Sequence, residues 1–108
     1  MKRGDIVTVS ARGDYGKPRA AVVVQSDMLD AADSVLVALF ASAVTDAPLY
    51  RLAVAPAPAN GLKAVSQVMV DKILAYLRAK CGAAISRLSG ADMLALNNTL
   101  SVMTGLAD

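Results

Sequence analysis

Residues 16–27, GKPRAAVVVQSD, contain the pattern on which the prediction of the fold depends. A lead-in typical of a turn is followed by an apolar run that ends in three consecutive valines, residues 22–24. β-Branched residues between turn-forming residues predict a strand that is buried on both faces, at about residues 19–26, and each buried valine contributes roughly 1.5–3 kcal/mol. Arg19 stands where the preceding loop meets this strand. It is therefore a candidate functional residue on a rigid scaffold, with a solvated strand-end charge as the alternative.

Further apolar segments predict a mainly β domain. Strands are expected at about residues 5–11, 34–42, 49–54 and 66–70, and the last continues through 73–77 after a bend at Asp71 and Lys72. Residues 12–18 contain two glycines and a proline, which predicts a loop that joins two antiparallel strands. The stretch from 80 to 87 has no clear pattern.

The C-terminal segment predicts one amphipathic helix. Residues 89–92, SGAD, resemble a capping box with Asp in place of Glu, and Gly105 is a plausible stop. Four apolar residues recur at intervals of three and four, which is the spacing of a core-facing stripe: Met93, Leu96, Leu100 and Met103. Strands followed by one helix predict a small, strongly bent antiparallel sheet, or half-open barrel, plugged by the helix. Residues 1–108 are predicted to form a single domain.

Missing residue types restrict the chemistry. The chain has no histidine, no glutamate and one cysteine. This excludes the usual thiolate and imidazole zinc sites, the Ser-His-Asp and Cys-His nucleophile systems, and a two-histidine ribonuclease mechanism. A guanidinium can still stabilise a phosphorane-like transition state electrostatically. The two candidate site residues are Arg19 and Asp71.

Several features predict a soluble cytoplasmic protein without a membrane segment. The single Cys81 excludes an intramolecular disulfide and suits a reducing compartment. The longest uncharged run, residues 93–107, is short against the roughly 20 residues that span a bilayer. At the N-terminus, Asp5 interrupts any signal-like apolar stretch.

The balance of apolar and charged residues bears on partners. Hydrophobic residues make up 56% of the chain and the net charge is only +2. A chain with this much apolar surface is expected to form a homodimer through strand and helix surfaces. Arg12, Lys17 and Arg19 flank the 12–18 loop and would line one basic mouth.

Four segments, in order from Arg3 to about Ile73, resemble the MazF/PemK family of toxins from type II toxin–antitoxin pairs: RGDIV, GKPRAAVVVQSD, DAPLYRLAV and NGLKAVSQVMVDKI. The resemblance implies an SH3-like barrel with a C-terminal helix, a homodimer, and metal-independent cleavage of single-stranded RNA at short sequences. The products would carry a cyclic 2′,3′-phosphate and a free 5′-hydroxyl. No cofactor is implied. The implied partners are single-stranded RNA and a cognate acidic antitoxin, which we expect to be disordered when free and to wrap the basic mouth.

The resemblance also assigns roles to individual residues. Arg19 matches the arginine of the family's arginine-proline-alanine-valine strand start, which stabilises the scissile phosphate or shuttles a proton, although the proline is replaced here by Ala20. Asp71 falls where a subset of the family has an acidic residue proposed as the base on the 2′-hydroxyl, and Asp5 matches an acidic position near the site.

For both carboxylates a structural role stays open, either capping a turn or pairing with Arg3 or Lys72. The predicted RNA-binding residues are Arg12, Lys17, Asp5 and Lys72.

The third strand departs from the family pattern. Similar members read leucine-threonine-serine where this chain has Phe40, Ala41 and Ser42, so the threonine hydroxyl expected on the phosphate is missing at Ala41. Ser42 is the remaining candidate hydroxyl of the site. Because neighbouring strand residues face opposite sides, Ser42 replaces the threonine only through a bulge or a register shift. A lost hydrogen bond to a charged group costs about 1.5–3 kcal/mol, or about ten- to a hundred-fold in rate, so we expect reduced rather than abolished activity.

Two other functions compete with the nuclease. One is a catalytically impaired or inactive family member that acts by binding antitoxin or RNA. The other is a gyrase poison of the related CcdB type. The second is disfavoured because the sequence ends GLAD and lacks the C-terminal tryptophan that those proteins press onto gyrase.

Overall fold

The computed structural model describes residues 1–10, 18–41 and 43–108. In these ranges it contains six strands and one α-helix. They are β1 (Asp5–Ser10), β2 (Pro18–Val23), β3 (Ser34–Ala41), β4 (Arg51–Val54), β5 (Ser66–Leu77), β6 (Cys81–Arg87) and α1 (Gly90–Met103). The strands form one antiparallel sheet in the order β4-β5-β3-β2-β1-β6. The sheet does not close. This confirms the mainly β fold with a C-terminal helix in its half-open form.

The valine run at the end of β2 is buried on both faces, as predicted. Val22 is 0% and Val23 3% exposed, and they belong to different apolar clusters. Successive strand residues point to opposite faces, so one valine packs on each side of the sheet. The strand ends earlier than predicted because the amides of Val24 and Gln25 both donate to the carbonyl of Leu36, at 3.0 and 3.3 Å, which ends the regular ladder.

The two clusters divide the core. The helix-side cluster is covered by α1 and comprises Ile6, Val22, Val24, Ala38, Phe40, Leu52, Val54, Val68, Val70, Leu88 and Leu96. The opposite cluster comprises Val7, Val9, Ala21, Val23, Val35, Val37 and Leu39. Arg19 lies two residues before Ala21 in β2, so it belongs to the face of the opposite cluster.

The predicted bend in β5 is present. Between the β3 residues Ala38 and Phe40, the partner on β5 moves from Ile73 to Val68, so β5 carries extra residues at this point. Such a bulge bends a strand and increases its local twist. Asp71 therefore lies within the bend.

The helix begins and ends as the sequence predicts. The Ser89 hydroxyl accepts a hydrogen bond from the Asp92 amide at 3.1 Å, which satisfies one of the free amides of the first turn. After α1 the chain turns at Gly105, whose φ of 77° is favourable only for glycine. Leu96 is fully buried, but Met103 is 39% exposed. The prediction that Met103 belongs to the core is wrong: Leu100 still packs against the helix-side cluster, whereas Met103 at the end of α1 is exposed.

Strand β6 occupies the stretch for which the sequence has no clear pattern. It is an edge strand, mostly exposed, and it pairs with β1 through two register shifts. Cys81, its first residue, is partly buried and lies opposite Val9. Burial raises the pKa of the Cys81 thiol, and the charge of Arg78 opposes this shift.

Candidate functional site

Arg19 is held at the start of β2 by contacts with both neighbouring strands. It lies opposite Val9 of β1, and its Nη2 donates to the carbonyl oxygen of Phe40 in β3 at 3.3 Å. The side chain is partly exposed. The sheet thus fixes the guanidinium at the start of an interior strand, with the side chain partly open to solvent, as a phosphate-binding group requires.

Ala41 ends β3 beside this arginine. The described pairing of β2 with β3 reaches Ala21 opposite Leu39. Arg19 and Ala41 each lie two residues beyond this pair, at the same level of the two strands. On the other side, Ala41 pairs with Gln67 of β5. The position of the missing hydroxyl is therefore next to the arginine, on the same face of the sheet, since directly opposed residues share a face.

Asp71 is engaged by two cations. Its Oδ1 lies 3.2 Å from Arg51 Nε, and its Oδ2 lies 3.5 Å from Lys72 Nζ. The Asp71 and Arg51 side chains are 21% and 12% exposed. The paired atoms Oδ1 and Nε are buried without an aligned hydrogen bond, so their contact is mainly electrostatic. The pairing of Asp71 with Lys72 that was left open is confirmed.

Arg51 was not among the residues predicted from the sequence. It begins β4 and lies opposite Met69, two residues before Asp71. No signal in the sequence identifies this partner, because the connection from β4 to β5 leaves the register of the two strands undetermined. The structure adds Arg51 to the candidate site as a cation of low exposure.

Asp5 lies away from Arg19. It begins β1, whereas Arg19 pairs with Val9 near the other end of that strand, a separation of roughly 13 Å at about 3.4 Å per residue. Its Oδ2 accepts from the Lys2 amide at 2.8 Å, and its own amide donates to the Lys2 carbonyl at 2.9 Å. The turn-capping alternative describes this contact. A role of Asp5 in RNA binding stays a prediction.

The other predicted site residues fall into two groups. Lys72 is 57% exposed beside Asp71, so its ammonium is accessible to a ligand as well as to the carboxylate. Arg12, Lys17 and Ser42 lie outside the described residues, and their predicted roles stay predictions.

A buried glutamine near Ala41 was also missed. Gln67 is 7% exposed. Its Oε1 accepts from the Thr45 amide at 2.9 Å, and its Nε2 donates to the Thr45 carbonyl at 2.7 Å. The carboxamide thereby holds the loop between β3 and β4 against the sheet. A single glutamine in a strand carries no sequence signal of such a contact.

Comparison with known proteins agrees with this fold. Residues 2–104 match the family described as PemK-like, MazF-like toxin of type II toxin–antitoxin system. The chain therefore belongs to that toxin family, and the resemblance found in the sequence is confirmed. A probable endoribonuclease MazF from Mycolicibacterium smegmatis is 44% identical over 108 residues, which cover 99% of each chain.

Solved toxin structures share the fold. An endoribonuclease in complex with its cognate antitoxin from Mycobacterial species superposes with a TM-score of 0.80 at 19% identity, covering 98% of this chain and 96% of that one. The Mycobacterium tuberculosis toxin MazF-mt6 has a TM-score of 0.78 at 19% identity, covering 94% and 96%. A MazE-MazF structure from Deinococcus radiodurans has a TM-score of 0.78 at 16% identity, covering 97% and 96%.

Among residues 1–10, 18–41 and 43–108, no helix has the length and apolar character that crossing a membrane requires.

Proposed function

We propose that this toxin is a sequence-selective, metal-independent endoribonuclease that cleaves single-stranded RNA, principally mRNA, and so inhibits translation and growth. The observation that carries the proposal is the Arg19 guanidinium, fixed by the sheet and partly exposed, in a chain of this toxin family. The 44% identity to a probable endoribonuclease over the full chain supports the same activity.

The proposed reaction is an internal displacement at phosphorus. The 2′-hydroxyl oxygen loses its proton to a base and attacks the adjacent phosphorus, and the bond from phosphorus to the 5′-oxygen breaks. The departing 5′-oxygen takes a proton from solvent water, so the products carry a 2′,3′-cyclic phosphate and a 5′-hydroxyl. Negative charge grows on the non-bridging oxygens in the transition state, and the Arg19 guanidinium stabilises it there. The proposed role of Arg19 is therefore electrostatic, since its guanidinium offers charge and hydrogen-bond donors to these oxygens. The arginine supplies the charge for which other nucleases use a metal ion.

Asp71 is proposed to accept the proton of the 2′-hydroxyl. Its carboxylate is kept in place by Arg51 and Lys72. Because Oδ1 is buried against Arg51, the proposed proton acceptor is Oδ2, on the side of Lys72. The more exposed Lys72 is the contact that a phosphate would draw away, since phosphate backbones attract exposed lysines. Ser42 is the proposed hydroxyl contact of the site, and Arg12 and Lys17 are proposed to bind the RNA backbone.

The proposal is tested by incubating the purified protein with a long single-stranded RNA and separating the products by size. We expect discrete fragments that begin and end at recurring short sequences. If the protein bound the RNA without cutting it, the nuclease proposal would be wrong, and the alternative of an inactive binding protein would take its place.

Restoring the missing hydroxyl tests whether it limits the reaction. We expect Ala41→Thr to raise the single-turnover cleavage rate about ten-fold or more, because position 41 lies next to Arg19 and a hydroxyl there can hydrogen-bond to the charged phosphate. Ala41→Val is the matched control, since it has the same shape without the hydroxyl. If the threonine and valine variants were equally fast, another group would already supply the contact.

Partners and compartment complete the proposal. A cognate acidic antitoxin would occupy the mouth formed by Arg12, Lys17 and Arg19 and exclude RNA from it, and related toxins have been solved in complex with antitoxins. A toxin acting on mRNA works in the cytoplasm, where the free thiol of Cys81 stays reduced.

The homodimer proposal rests on large apolar side chains that remain exposed, among them Leu77 at 55%, Ile85 at 64% and Leu94 at 63%. Sedimentation at micromolar concentration should give the mass of a dimer, and a monomer would contradict it.

A further inference from the structure

We propose that Gln67 is a positioning residue for RNA selectivity, which holds Thr45 and Asp46 so that they read a base beside the phosphate bound at Arg19. This inference rests on the proposed nuclease function and deepens it. The class of substrate that it specifies is single-stranded RNA in which the base next to the scissile bond presents an N–H donor to the loop.

The loop between β3 and β4 is held at two successive points. Gln67 binds both main-chain groups of Thr45, at 2.9 and 2.7 Å. Ala47 is 9% exposed, and its carbonyl accepts from the amides of Tyr50 and Arg51 at 3.2 and 2.8 Å. The Ala47 amide in turn donates to the Thr45 carbonyl at 3.0 Å. The backbone on either side of Asp46 is thereby fixed while the side chains of Thr45 and Asp46 remain exposed.

The position of the loop places it at the border of the phosphate site. Gln67 lies opposite Ala41 on one side and Ala53 on the other. Ala41, the last residue of β3, lies in turn beside Arg19 of β2. On the described strands, the residue between Gln67 and the strand position of Arg19 is Ala41, whose side chain is a methyl group. RNA whose phosphate lies at Arg19 can therefore place an adjoining base beside the loop.

The exposed groups of the loop suit recognition of a base. Proteins read single-stranded RNA through hydrogen bonds to the edges of unstacked bases. The Asp46 carboxylate only accepts hydrogen bonds, so it selects base edges that present an N–H donor, and the Thr45 hydroxyl can donate or accept. Selectivity of this kind requires the reading groups to be fixed in place, because a mobile carboxylate adapts to several bases.

The contact between Gln67 and Thr45 can be tested separately from the side chains that would read the base. Both hydrogen bonds go to the main chain of residue 45, so substitutions of the Thr45 or Asp46 side chains leave them intact. Gln67→Ala removes both bonds, whereas Gln67→Glu keeps the acceptor for the Thr45 amide and loses the donor to its carbonyl. Gln25 offers a matched control. It is also buried, at 9%, and its carboxamide binds the Leu36 amide and the carbonyls of Leu29 and Ser34, at the other end of β3.

The experiment has two parts. Cleavage of a pool of RNAs with randomised sequence around the cut site gives the selectivity, and steady-state kinetics on the preferred sequence give KM and kcat. We expect Gln67→Ala to broaden the set of cleaved sequences and to raise KM for the preferred sequence about ten-fold, with kcat changed less than about three-fold, because the loss falls on recognition rather than on Arg19. Gln67→Glu should lie between wild type and Gln67→Ala. Asp46→Asn should weaken the preference at a single nucleotide.

Gln25→Ala decides between positioning and general stability. We expect it to lower the melting temperature about as much as Gln67→Ala while the cleaved sequences stay those of the wild type. If the two variants changed selectivity equally, or if Gln67→Ala lowered only the melting temperature, the inference would be wrong. A wild-type protein that cuts no RNA would overturn the proposed function itself, and this inference with it.

Discussion

Replacing Arg19 with alanine is expected to lower the single-turnover rate of RNA cleavage at least about a hundred-fold, with a much smaller loss of RNA affinity. The reason is that charge on the non-bridging oxygens peaks in the transition state, whereas RNA in the ground state is also held by other cations. Arg19 lies opposite Val9 and donates to the Phe40 carbonyl, so the sheet fixes this cation at the start of β2.

Arg19→Lys is the matched variant. It keeps the positive charge but loses the planar fork of the guanidinium, so we expect only partial recovery of the rate. Cleavage and binding should be measured on the same labelled RNA, with the fold of each variant checked by circular dichroism. Equal losses of rate and affinity in Arg19→Ala would show that the arginine only binds RNA.

Replacing Leu96 with alanine is expected to lower the free energy of unfolding by about 3 kcal/mol. Leu96 is the fully buried residue of α1 and packs in the helix-side cluster with residues of β1 through β5. Its loss leaves a cavity between the helix and the sheet that the valines around it, being stiff at χ1, cannot fill.

Leu106→Ala makes the same substitution at a position that is 82% exposed, and we expect a change within about 0.5 kcal/mol. Urea denaturation at two protein concentrations separates a change in folding from a change in association. Comparable destabilisation by the two variants would show that α1 is not packed on the sheet as described.

Much of the fold follows from local pattern. The valine run, the bend in β5 and the cap at Ser89 are each determined by a few adjacent residues, and the structure confirms them. Strand β6 could not be predicted because its residues, CGAAISR, are small and mostly exposed, and pairing with β1 alone makes them a strand. The prediction for Met103 failed for another reason. Helical spacing identifies the apolar stripe of a helix but not how far along the helix the core extends.

The site was predictable only in part. Arg19 stands out because a charge precedes a buried strand, and the departure at Ala41 was visible against the family pattern. The partners Arg51 and Gln67 were not, since each depends on the register between β5 and a strand or loop distant in sequence. Contacts across a sheet depend on strand register, and a single polar residue in an apolar strand does not reveal which residue lies opposite to it.

The central claim, that this chain cleaves RNA with its own cationic side chains, is tested most directly by the chemistry of the product ends. Wild-type protein and Arg19→Ala are incubated with one long single-stranded RNA in excess EDTA, and the new ends are identified by mass spectrometry. The account predicts undiminished cleavage by the wild type, with 2′,3′-cyclic phosphate and 5′-hydroxyl ends, and cleavage at least about a hundred-fold slower by the variant. Cleavage that EDTA abolishes, ends that carry a 5′-phosphate, or equal rates for the two proteins would contradict it.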